Sequence, residues 1–187
     1  MFSVRYLMLD DEIERIREIK SISDFENDID TVVGQIQLSF TNNSIGFVDE
    51  DIPYNGEFIV TWLRLLNEAV VFLEEYGFAT IHEPDSDNIW LEFQKSEEEL
   101  SVKRAKVDKQ KLVLSHIEKL PKNYVEVFWK DKVSKREFYN SIQKVTNDFL
   151  VEISKVNPLI KQSNDLQKLE KAYTEAIVCN GINVSGV

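Results

Sequence analysis

From Phe58 to Leu73 the chain carries apolar side chains on nearly every side of a helix. Phe58, Ile59, Trp62, Leu63, Leu65, Leu66, Ala69, Val70, Phe72 and Leu73 cover most of the circumference. Thr61, Arg64, Glu68 and Glu75 recur at three-, four- and seven-residue steps and leave only a narrow polar stripe. Such a helix is stable in water only when other elements enclose it, so the rest of the sequence must supply a sheet and further helices. Gly77 stands just past the last turn, where left-handed backbone ends a helix. A helix is therefore expected over Glu57 to Tyr76, packed across a sheet. It is not expected to span a bilayer: Arg64, Asn67 and Glu68 interrupt the run, which falls short of the roughly 20 apolar residues a crossing needs.

The enclosing elements can be read from period and punctuation. Phe2 to Leu9 reads as a strand, and Ile13, Ile16 and Ile19 mark a short helix with Asp10, Asp11 and Glu12 at its positive end. Ser21 to Thr31 reads as an acidic connector. Gly34 to Phe40 alternates, which places Ile36, Leu38 and Phe40 on a buried face and Gln35, Gln37 and Ser39 towards water. Thr41 to Ser44 is a turn, and Ile45 to Val48 completes a hairpin. Phe78–His82, Ile89–Gln94 and Leu100–Val107, joined by polar turns, form an antiparallel meander. Lys111 to Ile117 suits either strand or helix, and Tyr124 to Trp129 reads as one more strand.

Two helices follow. Ser134 and Glu137 make a capping box ahead of a stripe of Phe138, Ile142, Val145, Phe149, Ile153 and Val156, which Asn157-Pro158 ends. Leu166, Leu169, Tyr173, Ala176 and Ile177 mark the last helix, capped by Ser163 or Asn164, and the chain from Cys179 reads as a tail, with 180–187 flexible. The expectation is one α+β domain over residues 1–187: an antiparallel sheet of six or seven strands, the Glu57–Tyr76 helix across it, and two C-terminal helices flanking.

A single cysteine, Cys179, leaves no intrachain disulfide and no multi-cysteine zinc site. Together with a first segment lacking signal-peptide character, this points to a reducing, cytoplasmic setting. The charge is unevenly placed. Residues 1–100 carry 23 acidic and 6 basic side chains, whereas residues 101–187 carry 10 and 16, for an overall net charge of −11. Asymmetry of this kind bears on partners, favouring a basic protein for the acidic part.

Motifs for catalysis are absent: there is no P-loop, dinucleotide-binding glycine fingerprint, Gly-x-Ser-x-Gly elbow or zinc-protease histidine pair. His82 beside Glu83 could form a general base, but neighbours on a strand point to opposite faces. His116 has no partner motif, and Cys179 lies where the chain is least fixed. The acidic clusters, Asp85-Ser86-Asp87-Asn88 among them, lack the glycine and closing glutamate of a calcium loop. No metal or cofactor is expected. Lys103, Arg104, Lys106, Lys109 and Lys111 make a basic segment able to meet phosphates, although it lacks interleaved aromatics and the chain's pI is about 4.7. A membrane is not an expected partner.

Val127-Phe128-Trp129, then Ser134-Lys135-Arg136-Glu137-Phe138, Phe149-Leu150 and Asn157-Pro158 before a short Leu-rich helix, resemble the C-terminal part of small bacterial proteins. Some of these are thought to be immunity proteins of polymorphic or contact-dependent toxin systems. The resemblance covers about a quarter of the chain and implies a cytoplasmic, non-enzymatic protein that blocks a toxin domain by binding it. Contact residues do not transfer, because such families share scaffold and differ in their binding faces. From charge alone, the candidate contacts to a basic partner are Asp24, Glu26, Asp28, Asp30, Asp49, Glu50, Asp51, Asp85 and Asp87. The alternatives are a nucleic-acid-associated regulator using the 103–111 segment and a hydrolase built on His82; the sequence leaves the oligomeric state open.

Overall fold

The computed structural model describes residues 1–27, 31–54, 56–108 and 124–181, which form an α+β fold. In chain order the elements are β1 (Ser3–Leu7), α1 (Asp10–Glu18), α2 (Ile22–Asn27), β2 (Val33–Ser39), β3 (Ser44–Gly46), β4 (Glu57–Phe58) and α3 (Ile59–Tyr76). They continue with β5 (Phe78–His82), β6 (Ile89–Lys95), β7 (Glu99–Val107), β8 (Tyr124–Ser134), α4 (Lys135–Val156) and α5 (Asn164–Cys179), with a 3-10 turn at Pro158–Gln162. In place of one sheet of six or seven strands, the described strands form two antiparallel sheets of four. In the first, β1 and β2 pair from Ser3 opposite Ser39 to Leu7 opposite Gln35, and β3 and β4 pair with different stretches of β2. The second is the meander β5-β6-β7-β8. The split follows from α3, which enters directly from β4 and leaves directly into β5.

The apolar girth of α3 has its expected consequence. Ile59, Val60, Leu63, Leu66, Val70 and Leu73 are fully buried, in a continuous cluster with Ile36 and Leu38 of β2, Leu91 and Phe93 of β6, and Phe138, Ile142 and Phe149 of α4. Gly77 ends the helix at φ 75°, its amide bonded to the Leu73 carbonyl at 3.1 Å. Asn67 is a polar residue fully buried inside this core. Its Nδ2 donates to the Leu63 carbonyl and to Thr146 Oγ1 of α4, both at 2.8 Å, which fixes how the two helices cross. At Gly34 a methyl group would lie 2.3 Å from the Leu7 carbonyl oxygen and 2.6 Å from Ile59 Cδ1, so β2 can approach β1 and α3 only through glycine.

Long-range polar clips join the layers. The buried Asp131 carboxylate of β8 accepts from the Asn42 amide at 2.7 Å, from Asn43 Nδ2 at 3.0 Å and from the Lys132 amide at 2.8 Å, tying the second sheet to the hairpin tip of the first. Asn157 does not only end α4. Its Nδ2 donates to the carbonyls of Ile16 and Ile19, at 2.9 and 3.0 Å, and so caps α1. Ser134 Oγ accepts from the Glu137 amide and Ser163 Oγ from the Leu166 amide, as helix N-caps do.

Several local expectations change. The acidic connector contains α2, because Phe25 buries completely and holds a six-residue helix against the core. The strand expected over Tyr124–Trp129 runs on to Ser134. Gln35 does not face water: it is 1% exposed, because the chain after β3 passes over it. Cys179 is the last residue of α5 and exposed, and Asn180 and Gly181 continue as a turn, while 182–187 lie outside the described residues, as does Lys111–Ile117. No helix among the described residues is long and apolar enough to cross a membrane.

Candidate functional site: an acidic loop and the groove beside it

Between β3 and β4 the chain reads Phe47-Val48-Asp49-Glu50-Asp51-Ile52-Pro53-Tyr54. Its form comes from one buried amide. Gln35 Nε2 donates to the carbonyls of Asp49 and Ile52, at 3.0 and 2.7 Å, and Gln35 Oε1 accepts from the Asp49 amide at 2.7 Å. The loop tightens on itself as well: the Ile52 amide reaches the Asp49 carbonyl at 3.3 Å, and the Asp51 amide reaches Asp49 Oδ1 at 3.0 Å. With the backbone held from beneath, the side chains turn outward. Phe47, Ile52 and Tyr54 are 38%, 43% and 48% exposed, and the Phe47 and Tyr54 rings lie 5.9 Å apart. Asp49, Glu50 and Asp51 are exposed among them. Large apolar groups in water cost free energy unless a partner covers them, and aromatic anchors ringed by polar groups are the usual anatomy of a binding hot spot.

Val48 and Glu50 also form one wall of an open groove of about 440 Å3 between β1 and α4. Helical spacing brings Ser141, Val145, Asp148 and Glu152 to the same side of α4, facing β1. Tyr6 packs edge-on against Phe149, ring centres 5.4 Å apart, and its hydroxyl donates to Glu152. Burial first, then that hydrogen bond and the negative charges of Glu152 and Asp148, push the phenol far above its ordinary range. Tyr6 is accordingly a neutral donor. Lys144 is held by Asp148 at 2.7 Å.

Of the residues singled out by charge, the structure gathers Asp49, Glu50 and Asp51 and adds Asp148 and Glu152 to them. Asp24 and Glu26 are exposed on α2, where a Glu26 oxygen accepts from the Asn164 amide at 3.4 Å, at the start of α5. Asp85 and Asp87 sit on the turn between β5 and β6 of the other sheet; Asp85 adopts φ 57°, and Asp87 pairs with Lys106 at 3.3 Å. Asp28 and Asp30 lie outside the described residues. The groove acids were not singled out, because Asp148 and Glu152 read as the ordinary solvent face of an amphipathic helix. Phe47, Ile52 and Tyr54 did carry a signal: three large apolar residues flanking three consecutive acids, in a segment too short and too acidic to bury them.

The alternative chemistries meet different surroundings. The His82 ring stands edge-on to Trp90, centres 5.0 Å apart, while the neighbouring Glu83 carboxylate takes two bonds from Arg104, at 2.6 and 2.8 Å. Lys103 bonds Glu92 at 2.5 Å and the Tyr124 hydroxyl at 2.7 Å. Burial alone would lower the Lys103 ammonium, and these bonds more than reverse it. Lys103, Arg104 and Lys106 thus each hold a carboxylate within their own sheet; Lys109, Lys111 and His116 lie outside the described residues. The Cys179 thiol is pushed up by burial and by the charges of Glu75, Glu74 and Glu175, which disfavours the nucleophilic thiolate. Among the described residues, no three His, Cys, Asp or Glu side chains are placed to hold a metal ion. No protein-family model, curated protein or solved structure matches the chain.

Proposed function

We propose that this chain is a non-catalytic binding protein of the immunity type, acting in the cytoplasm, which neutralises a basic toxin domain by covering it. The observation that carries the reading is the Gln35-anchored loop, with Phe47, Ile52 and Tyr54 exposed between Asp49, Glu50 and Asp51. Each part has a physical task. The carboxylates, within a first hundred residues of strongly negative balance, steer a basic partner and raise the rate of encounter. The three apolar side chains supply the area that holds the complex once water is excluded. Gln35 fixes the loop beforehand, so little backbone entropy is lost on binding.

The test is coexpression with the toxin domain encoded by the neighbouring gene. The wild-type chain restores growth, and a variant carrying Asp49→Lys, Glu50→Lys and Asp51→Lys does not, although it folds with an unchanged circular dichroism spectrum. Full protection by the charge-reversed loop would overturn the reading, and so would a neighbouring gene that encodes no toxin and no other basic partner.

A further inference from the structure

The groove beside the loop exposes one edge of the first sheet. Among the described residues, β1 is terminal there, paired on one side with β2. Because the Val4 amide is directed at α4, antiparallel alternation turns the backbone groups of Ser3, Arg5 and Leu7 towards β2 and those of Val4 and Tyr6 away from it. That amide donates to Ser141 Oγ at 3.1 Å. Two residues on, the same alternation points the amide and carbonyl of Tyr6 away from β2, and the groove of about 440 Å3 opens beside that residue. α4 with its Ser141 hydroxyl therefore plugs one end of the edge and leaves the other open. An unpaired strand edge is a template for another extended chain.

The walls select which chain. Glu50, Asp148 and Glu152 line the groove, against Arg5 and a Lys144 that Asp148 already holds. Asp49 and Asp51 adjoin Glu50 in the loop at the groove's wall. Acidic segments, including this chain's own, are repelled, whereas lysine or arginine side chains at alternate positions meet carboxylates. We propose that the groove takes an extended basic segment of the partner as an added strand on β1, hydrogen-bonded at Tyr6 and read by Glu50, Asp148 and Glu152. Main-chain bonds supply affinity in this mode, and the alternate side chains supply specificity. The inference rests on the reading of the acidic surface as the binding face and names how part of the partner lies on it.

The experiment uses the wild-type protein, so a misfolded variant cannot imitate a negative result. The probe is a labelled octapeptide of alternating Lys and Val, titrated by fluorescence anisotropy at low salt. Two derivatives carry N-methyl groups, one on every lysine amide and the other on every valine amide. Only one set of amides can face the edge in a paired strand. One derivative therefore loses at least about tenfold in affinity while the other stays within about threefold of the parent. In parallel, the Tyr6 amide exchanges with solvent at least about tenfold more slowly in the complex. No binding of the parent peptide, equal binding of both derivatives, equal loss by both, or an unchanged Tyr6 amide would each overturn the strand-addition proposal. The two readings fail separately. Loss of neutralisation on loop reversal without peptide pairing removes the groove proposal alone. Peptide pairing with neutralisation that survives loop reversal removes the functional reading and leaves the groove.

Discussion

Replacing Gln35 by alanine tests whether the loop is held from beneath. The side chain is 1% exposed and makes three hydrogen bonds, at 2.7, 2.7 and 3.0 Å, all to backbone atoms of Asp49 and Ile52. Each such bond contributes a net of about 0.5–1.5 kcal/mol, and a donor or acceptor left unpaired in a buried place costs more. The loop can relieve part of that cost by lifting off the sheet and exchanging its lost partner for water. The expected destabilisation is therefore about 2–4 kcal/mol in urea titration, with a thermal midpoint lowered by about 5–15 °C for a chain of this size. Native-state hydrogen exchange locates the effect: the Asp49 amide, bonded to Gln35 Oε1, should lose protection far beyond the global change. Gln35→Glu adds a second arm. It keeps the shape but faces two carbonyls with a carboxylate, so the folded state favours its neutral form and raises its pKa above the unfolded value. The variant should therefore recover stability relative to wild type as pH falls towards about 4, and lose it as pH rises. A loss below about 0.5 kcal/mol for Gln35→Ala, with unchanged exchange at Asp49, would refute the reasoning.

Three further outcomes follow from the clips and the ion pairs. Burial alone would raise the Asp131 carboxyl, but the Asn42, Asn43 and Lys132 donors hold it below its ordinary range, so its contribution is present above the unfolded pKa and lost as pH falls through the folded one. Urea midpoints measured from about pH 5 down to about pH 2 should therefore fall more steeply for the wild type than for Asp131→Asn. Arg104→Met leaves the Glu83 side chain, 6% exposed, without its bidentate partner and should cost about 2–4 kcal/mol, discounted for the partial exposure of Arg104; adding Glu83→Gln should restore much of that loss. Asn157→Ala removes two bonds to the end of α1 and one to the Leu159 amide, for a loss of about 2 kcal/mol with exchange concentrated in α1.

Much of the architecture was legible because local and long-range demands coincide. The α3 girth, Gly77, the Ser134 and Ser163 caps and the polar turns of the meander each act through near neighbours, and the structure has them all. What was not legible depends on contacts distant in sequence. Nothing local separates Gln35 from Gln37, yet Gln35 is buried because the loop after β3 passes over it. Strand periods also do not say which strands share a sheet, so the division into two sheets was hidden, although the apolar α3 between β4 and β5 supplies its reason. At the site, composition pointed to Asp49, Glu50 and Asp51 but could not rank them against Asp85 and Asp87. The ranking comes from the apolar anchors and from the groove acids that α4, about a hundred residues further on, brings to the same place.

The central claim is that negative potential on a preformed loop captures a basic protein. Stopped-flow association of the purified chain with the proposed toxin domain, over a range of ionic strength, measures this directly. The rate constant should fall at least about tenfold from low to high salt, with most of that dependence removed by Asp49→Asn, Glu50→Gln and Asp51→Asn and little change in dissociation. A rate indifferent to salt, or a salt dependence that the neutralised loop retains in full, would contradict it.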